Sequence, residues 1–385
     1  MRVLFTTQPG TGHFHPLVPL AQALRDVGHD VAFAGAPSAH PLIEASGFRA
    51  FSAGVEWWKQ GSPPPMPQDA PHWAILIVHY AREMARDLLD LARDWEPDLI
   101  VRAGSEYGGL VAAERLGLPH ASVPTGAWHA DYQLRLEAVK QLDALRADFG
   151  LPADPEVEMP FRYLNLAFIP PRYHDSTRPL APTTHFLRPT AFDRSGSETL
   201  PSWVAELPDR PTVYATLGTF FTSLTSLYDA MLDGLRGEPI NLIVTVGRQQ
   251  DPARFGPQPV NVHVERYLPQ SLLFSHCDLV VAHAGFGTVI GALTHGLPLV
   301  VLDVGADHPM HAARCAALGI GRVVDRDGIT PETLREAVRT VLTDPMYRRN
   351  AEQLRDEMAT LPGLDHAVKL VERLARDRTP ILAPP

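Results

Sequence analysis

Cysteine is nearly missing from this chain. Cys277 and Cys315 are the only two in 385 residues, too few for a disulfide framework and without the spacing of a structural zinc site. A reducing cytoplasm fits that scarcity. Basic residues are also short: Lys plus Arg number 34 against 44 Asp plus Glu, a net charge of −10. With no long basic run, the electrostatic footprint of a nucleic-acid partner is lacking. No apolar run approaches the ~20 residues that span a bilayer, and Met1-Arg-Val-Leu-Phe-Thr-Thr opens without a cleavable signal. A soluble, cytosolic protein is therefore expected. No short internal repeat occurs, and only Gly61 to Pro67, with four prolines, has a locally biased composition.

A 45% hydrophobic composition over this length supports substantial cores and, at roughly 100–200 residues per domain, predicts two or three domains, with two as the first expectation. β-rich runs alternate with helical-period stretches from the start: Val3 to Thr7, Leu17 to Val27, His29 to Ala34, Asp98 to Val101 and Pro119 to Val123. Such alternation marks βαβ units on a parallel sheet. It fades between Leu151 and Pro201, where Pro and Arg accumulate, and restarts after Pro211. The expected organisation is an acceptor-binding domain at 1–188, a linker at 189–200 and a second domain at 201–385 with a helical carboxyl-terminal tail. Two α/β domains facing a central cleft suit a reaction between two unlike substrates, because ligands bind beyond the carboxyl ends of such strands.

The most informative segment is Val280-Val-Ala-His283-Ala-Gly285-Phe286-Gly287-Thr288. A strand runs into a glycine-bearing turn that opens a helix, offering backbone N–H groups and a helix dipole to a diphosphate. Thr288 and His283 can add side-chain hydrogen bonds. Thr216-Leu-Gly218-Thr219 supplies a second strand ending in a Gly-Thr turn, and Gly305-Ala-Asp307-His308 offers a carboxylate and an imidazole for sugar hydroxyls. Near the amino terminus, Gly10-Thr-Gly12-His13 follows the first strand, where an imidazole can accept a proton from an acceptor hydroxyl near neutral pH. Glu106 is the nearest acidic side chain past the strand at Asp98 to Val101, and is the candidate to orient His13; Asp98, at the strand start, is the rival. Trp57, Trp58, Met66, Trp73, Tyr80, Met84 and Trp128 could line an apolar acceptor pocket, although aromatics at helical spacing are also what a core requires.

In this order, Gly12-His13-Phe-His15-Pro16-Leu, Thr216-Leu-Gly218-Thr219, Tyr267-Leu268-Pro269-Gln270, His283-Ala-Gly285-Phe-Gly287-Thr288 and Gly305-Ala-Asp307-His308-Pro-Met-His311 resemble the nucleoside-diphosphate-sugar glycosyltransferases of plant flavonoid and bacterial natural-product pathways. The resemblance covers nearly the whole chain and implies a GT-B fold of two Rossmann-like domains. It implies that His13 is the base and that Tyr267 stacks on the nucleobase, with backbone contacts at Leu268. It also implies a diphosphate role for Thr219, His283, Gly287 and Thr288, and a sugar role for Asp307 and His308. Where uridine-using members commonly place a glutamate for the ribose, eight residues after the motif histidine, this chain has Gly291. That departure, with the resemblance to the bacterial branch, points to a thymidine diphosphate donor, since deoxyribose lacks the 2′-hydroxyl. A second departure puts His308 and His311 where the family usually has Gln and Asn.

The expected activity is metal-independent, inverting transfer of a deoxysugar from a dTDP-sugar to a hydrophobic aglycone such as a polyketide, with no cofactor besides the donor. A uridine-dependent transferase and a non-catalytic helper of a partner enzyme are the alternatives, and homodimerisation stays open. A nicotinamide-dependent dehydrogenase is disfavoured, because Gly10-Thr-Gly12 has His15 where a third glycine would fall.

Overall fold

The structure is a computed structural model that describes residues 1–56, 72–124, 139–193, 198–219, 221–304 and 308–384, with the backbone alone at 72–78 and 326. It divides into two compact units. Unit 1 comprises Met1–Ile169, Ser176–Thr190 and Leu361–Pro385; unit 2 comprises Pro170–Asp175 and Ala191–Thr360.

In unit 1 the described strands are β1 (Arg2–Thr6), β2 (Asp30–Gly35), β3 (Arg49–Ser52), β4 (Leu99–Ala103), β5 (His120–Val123), β6 (Leu164–Ala167) and β7 (Thr184–Phe186). They form one parallel sheet in the order β3-β2-β1-β4-β5-β6-β7. Helices α1 (Thr11–Phe14), α2 (Val18–Asp26), α3 (His40–Ala45), α4 (His72–Trp95), α5 (Gly108–Leu116) and α6 (139–148) connect them. β1 and β4 are buried almost throughout, which explains the apolar runs Val3–Phe5 and Leu99–Val101 within them: a central parallel strand is covered on both faces. The chain order reverses between β1 and β4, and at such a switch point the loops diverge and leave a crevice. The loop carrying His13 follows one of these strands and the Gly104–Tyr107 loop follows the other.

Unit 2 repeats the scheme with β8 (Thr212–Thr216), β9 (Asn241–Thr245), β10 (Val262–Glu265), β11 (Leu279–Ala282), β12 (Leu299–Leu302) and β13 (Gly321–Val324). Its described strands lie parallel in the order β10-β9-β8-β11-β12-β13. Its helices are α7 (Thr225–Leu235), α8 (Gln270–Leu273), α9 (Phe286–Thr294), α10 (His308–Ala317), α11 (Pro331–Thr343) and α12 (Pro345–Thr360). Val213, Leu242, Val281, Leu302, Met231 and Val338 belong to its core. The switch point falls between β8 and β11, whose following turns are the two glycine motifs.

The division differs from the sequence expectation at two places. The last helix, α13 (Leu364–Asp377), is expected from sequence in the second domain but belongs to unit 1. Its buried Ala367, Val368, Leu370, Val371 and Leu374 form an apolar stripe that packs on α2 and β6, and His29 Nε2 lies 3.0 Å from Glu372. The Pro-rich 151–201 stretch, weakly periodic in sequence, contributes β6 and β7 to the first sheet. Within it Pro170–Asp175 crosses into unit 2. There Tyr173 is buried, its hydroxyl hydrogen-bonds His311 Nδ1 at 2.8 Å, and Arg314 Nε donates to its carbonyl at 2.9 Å. Among the described residues, no helix is long and apolar enough to cross a membrane. Both cysteines are buried thiols, and burial pushes each up to about 12.

Candidate active site

At the switch point of unit 1, Gly10 adopts φ +110°, a conformation L side chains rarely take. Its carbonyl accepts from His13 N and Phe14 N, so the glycine folds the loop directly into the short α1. Phe14 is buried against Phe33, with centroids 5.1 Å apart, and leaves its neighbour His13 half-buried. The loop is latched to the one after β4: Gln8 Nε2 donates to Ser105 O at 2.8 Å while Ser105 Oγ donates to Gln8 Oε1 at 2.7 Å.

Glu106 is 2% exposed, and its carboxylate is committed elsewhere than the sequence suggests. Thr6 Oγ1 donates to Oε2 at 2.5 Å, Gly109 N to Oε2 at 2.8 Å and Gly108 N to Oε1 at 2.6 Å. None of the hydrogen bonds described for Glu106 goes to His13. The side chain caps the first amides of α5 and ties them to β1, a use of a carboxylate that the helix dipole favours. Burial raises its pKa, opposed by the Thr6, Gly109 and Gly108 hydrogen bonds and by Arg102. Gly109 is needed for this arrangement, since a Cβ there would sit 2.4 Å from Thr6 Oγ1 and 2.6 Å from Glu106 Oε2. Asp98, the rival, receives Arg2 N at 2.7 Å, at the amino ends of β4 and β1 and thus at the opposite edge from His13.

Tyr80 and Met84 of α4 line a hollow with Gln8, Pro9, Glu106 and Tyr107, beside the loop that carries His13. Trp57, Trp58, Met66 and Trp128 lie outside the described residues, as does the side chain of Trp73.

In unit 2, β11 ends at Ala282 and His283 begins the turn. Ala284 takes φ +63°, a left-handed conformation that costs an alanine about 1–2 kcal/mol and that recurs at functional turns. Gly285 then caps α9, with Phe286 as its first residue. The His283 ring is held between two backbones: a Cβ on Gly218 would lie 2.4 Å from its Cε1, and a Cβ on Gly285 would lie 2.4 Å from its Nε2. Gly218 is at φ +70°. Both glycine motifs therefore exist in part to admit one imidazole. His308 meets it edge to face, with centroids 4.9 Å apart, and Phe221 packs on His308 at 4.9 Å. Thr219 and Gly287 are exposed. The Thr288 hydroxyl is buried and donates to Gln270 Oε1 at 3.2 Å. Asp307 lies outside the described residues. His311, by contrast, is fully buried and committed to Tyr173.

Tyr267 lines an open hollow with Arg248, Pro252, Glu265 and Arg266. Its hydroxyl donates to Asp193 O, and the Arg248 guanidinium lies 3.8 Å from its ring centroid, a cation–π contact. Burial, then the Asp193 charge, pushes the phenol up to about 12. Leu268 is buried. Gly291 does not look onto open space: a Cβ there would lie 3.0 Å from Phe274 Cε2. Among the described residues, no group of three His, Cys, Asp or Glu side chains is arranged to hold a metal ion.

Known proteins resemble this chain in sequence and in fold. Residues 231–374 match the Erythromycin biosynthesis protein CIII-like, C-terminal domain. The chain is 29% identical to 4'-demethylrebeccamycin synthase of Lentzea aerocolonigenes, covering 97% of this chain and 99% of that protein. It is also 29% identical to 10-deoxymethynolide desosaminyltransferase of Streptomyces venezuelae, covering 97% of each. The crystal structure of glycosyltransferase VinC in complex with dTDP superposes with a TM-score of 0.79 at 26% identity, over 98% of this chain and 100% of that one. The protein is thus a glycosyltransferase with the GT-B fold. It resembles the nucleoside-diphosphate-sugar glycosyltransferases, and the relatives it matches serve antibiotic and other natural-product pathways.

Proposed function

We propose that the protein is a cytosolic, inverting glycosyltransferase that moves a deoxysugar from a thymidine diphosphate sugar to a hydrophobic small molecule of the polyketide kind. The observation that carries the reading is the His283 imidazole gripped between Gly218 and Gly285 at the amino end of α9. Two phosphate-binding turns, a ring N–H and a helix dipole converge there. In this reading His283, Thr219, Gly287 and Thr288 receive the diphosphate and stabilise it as leaving group. Tyr267 with its Arg248 partner meets the nucleobase, Leu268 offers backbone contacts to it, and His308 with Asp307 addresses the sugar.

His13 takes the proton from the acceptor hydroxyl, whose oxygen then attacks the anomeric carbon as the diphosphate departs. A single displacement inverts that carbon. The hollow beside Tyr80 and Met84 is the described part of the acceptor site. A thymidine donor is supported by Gly291 and by the dTDP in the VinC complex. No metal is required in this scheme.

Calorimetric titration of thymidine diphosphate and uridine diphosphate side by side tests the donor. Tighter binding of the thymidine nucleotide is expected, equal binding returns the donor to the uridine alternative, and binding of neither overturns the assignment of unit 2. Product NMR showing a retained anomeric configuration would overturn the single displacement.

A further inference from the structure

The two phosphate-facing turns of unit 2 are joined beneath the surface by a continuous line of side-chain hydrogen bonds. Thr288 Oγ1 donates to Gln270 Oε1 at 3.2 Å, and Gln270 Nε2 donates to the Tyr214 hydroxyl at 3.2 Å. Tyr214 and Thr245 hydroxyls are 2.6 Å apart, Thr245 Oγ1 donates to Thr216 Oγ1 at 3.0 Å, and Gly218 N donates to the same Thr216 oxygen at 3.1 Å. Tyr214, Thr216, Thr245 and Thr288 are all buried. Thr216 pairs with Thr245 across β8 and β9, and Tyr214, two residues earlier on β8, shares the Thr216 face. A buried polar chain is costly unless every member is satisfied, so its presence across two buried strands needs a reason.

We propose that Tyr214 and Thr245 are positioning residues that hold the Gly218 turn and the Thr288 hydroxyl in one frame for a diphosphate. The inference rests on the reading of unit 2 as the nucleotide-sugar site. Counting protons shows what the chain can do. With the Thr245 proton on Thr216, the Tyr214 proton goes to Thr245, the Gln270 amide donates to Tyr214, and the Gln270 carbonyl takes the Thr288 proton. Thr288 then has no proton left for an anion.

If the Gln270 amide turns over, every bond in the line can reverse. Nε2 donates to Thr288, Tyr214 donates to Oε1, Thr245 to Tyr214 and Thr216 to Thr245, while Gly218 N stays on Thr216. Thr288 is thereby freed to donate to a phosphate, and each member of the line keeps a bond to its neighbours. Only side chains that both donate and accept can carry such a reversal, and a phenylalanine or valine in the line cannot.

Calorimetry with thymidine diphosphate and with thymidine, on wild type, Tyr214→Phe, Thr245→Val and Thr245→Ser, tests this. Tyr214→Phe and Thr245→Val are expected to weaken thymidine diphosphate about tenfold, one hydrogen bond to a charged group, with thymidine unchanged. Thr245→Ser, which keeps the hydroxyl, should bind both as wild type does. Unchanged diphosphate affinity in the first two variants, or an equal loss for thymidine, overturns the positioning role while leaving the site in place. If Tyr214→Phe does not fold, the Thr245→Val and Thr245→Ser pair decides. Wild type that binds neither thymidine diphosphate nor uridine diphosphate removes the nucleotide site, and this inference with it.

Discussion

The imidazole of His283 occupies the space where a side chain on Gly218 would be, with only 2.4 Å between its Cε1 and a Cβ built there. The two residues come from different strands of the switch point, and each constrains the other. Gly218→Ala must displace the ring and also place an alanine at φ +70°. We expect a stability loss of about 1–3 kcal/mol and loss of most thymidine diphosphate binding. Thermal unfolding and calorimetry of the same sample check both, and retained nucleotide affinity would show that the ring position is immaterial.

His13 belongs to unit 1, and its variants should separate chemistry from donor binding. His13→Ala is expected to lower transfer about 10²–10⁴-fold, the usual worth of a positioned base, with thymidine diphosphate affinity unchanged. Full activity of His13→Ala in a reconstituted pathway would support the helper alternative.

Two buried groups of unit 1 predict opposite pH effects on stability. Burial raises the Glu106 pKa in the folded protein. The folded state therefore holds a proton that the unfolded chain releases, and this contribution is lost as pH rises from the ordinary carboxyl range through the raised value. His120 has its pKa lowered well below 6.5, first by burial and then by the charges of Arg102 and Arg162. Its contribution is present above 6.5 and is lost as pH falls from there through the lowered value. Denaturant unfolding across pH should show a shallower decline in Glu106→Gln on the alkaline side of the carboxyl range and a weaker acid loss in His120→Phe. Slopes identical to wild type in both variants would refute the assignment.

Gly291 bears on donor choice less simply than its lack of a side chain suggests. A glutamate there must push Phe274, so Gly291→Glu alone is expected to cost about 1–3 kcal/mol by overpacking. Gly291→Glu combined with Phe274→Leu should recover part of that loss and narrow the preference for thymidine diphosphate over uridine diphosphate. Chemical denaturation and paired titrations measure the two effects, and an unchanged preference in the stable double variant would exclude Gly291 from donor selection.

The sheets and their switch points are legible in the sequence because a central parallel strand is covered on both faces and so carries a short apolar run, and because turns that admit an imidazole must be glycine. His283, Gly218, Gly285 and Thr288 stand out for that reason. Glu106 is legible as a residue but not in its role. Its spacing after β4 places a carboxylate near His13 without showing that Thr6 and two amides of α5 claim it. The reciprocal bonds of Gln8 and Ser105, nearly a hundred residues apart, leave no local pattern. The Tyr214 line leaves one faint sign, hydroxyls at Thr212, Tyr214 and Thr216 alternating along one face of β8. The stripe on α13 announces that the helix is covered without saying by which sheet. Tyr173 and His311 are hidden because a six-residue, proline-containing excursion has no periodicity.

That final helix also sets an order of assembly. Unit 2 has its principal sequence complete at Thr360, whereas unit 1 still lacks the stripe of Val368, Val371 and Leu374 that covers α2 and β6. During synthesis the amino-terminal unit must therefore wait, with part of its apolar surface bare, until α13 leaves the ribosome. Cutting the chain after Thr360 would strip the unit that carries His13 and leave the one that carries His283 whole.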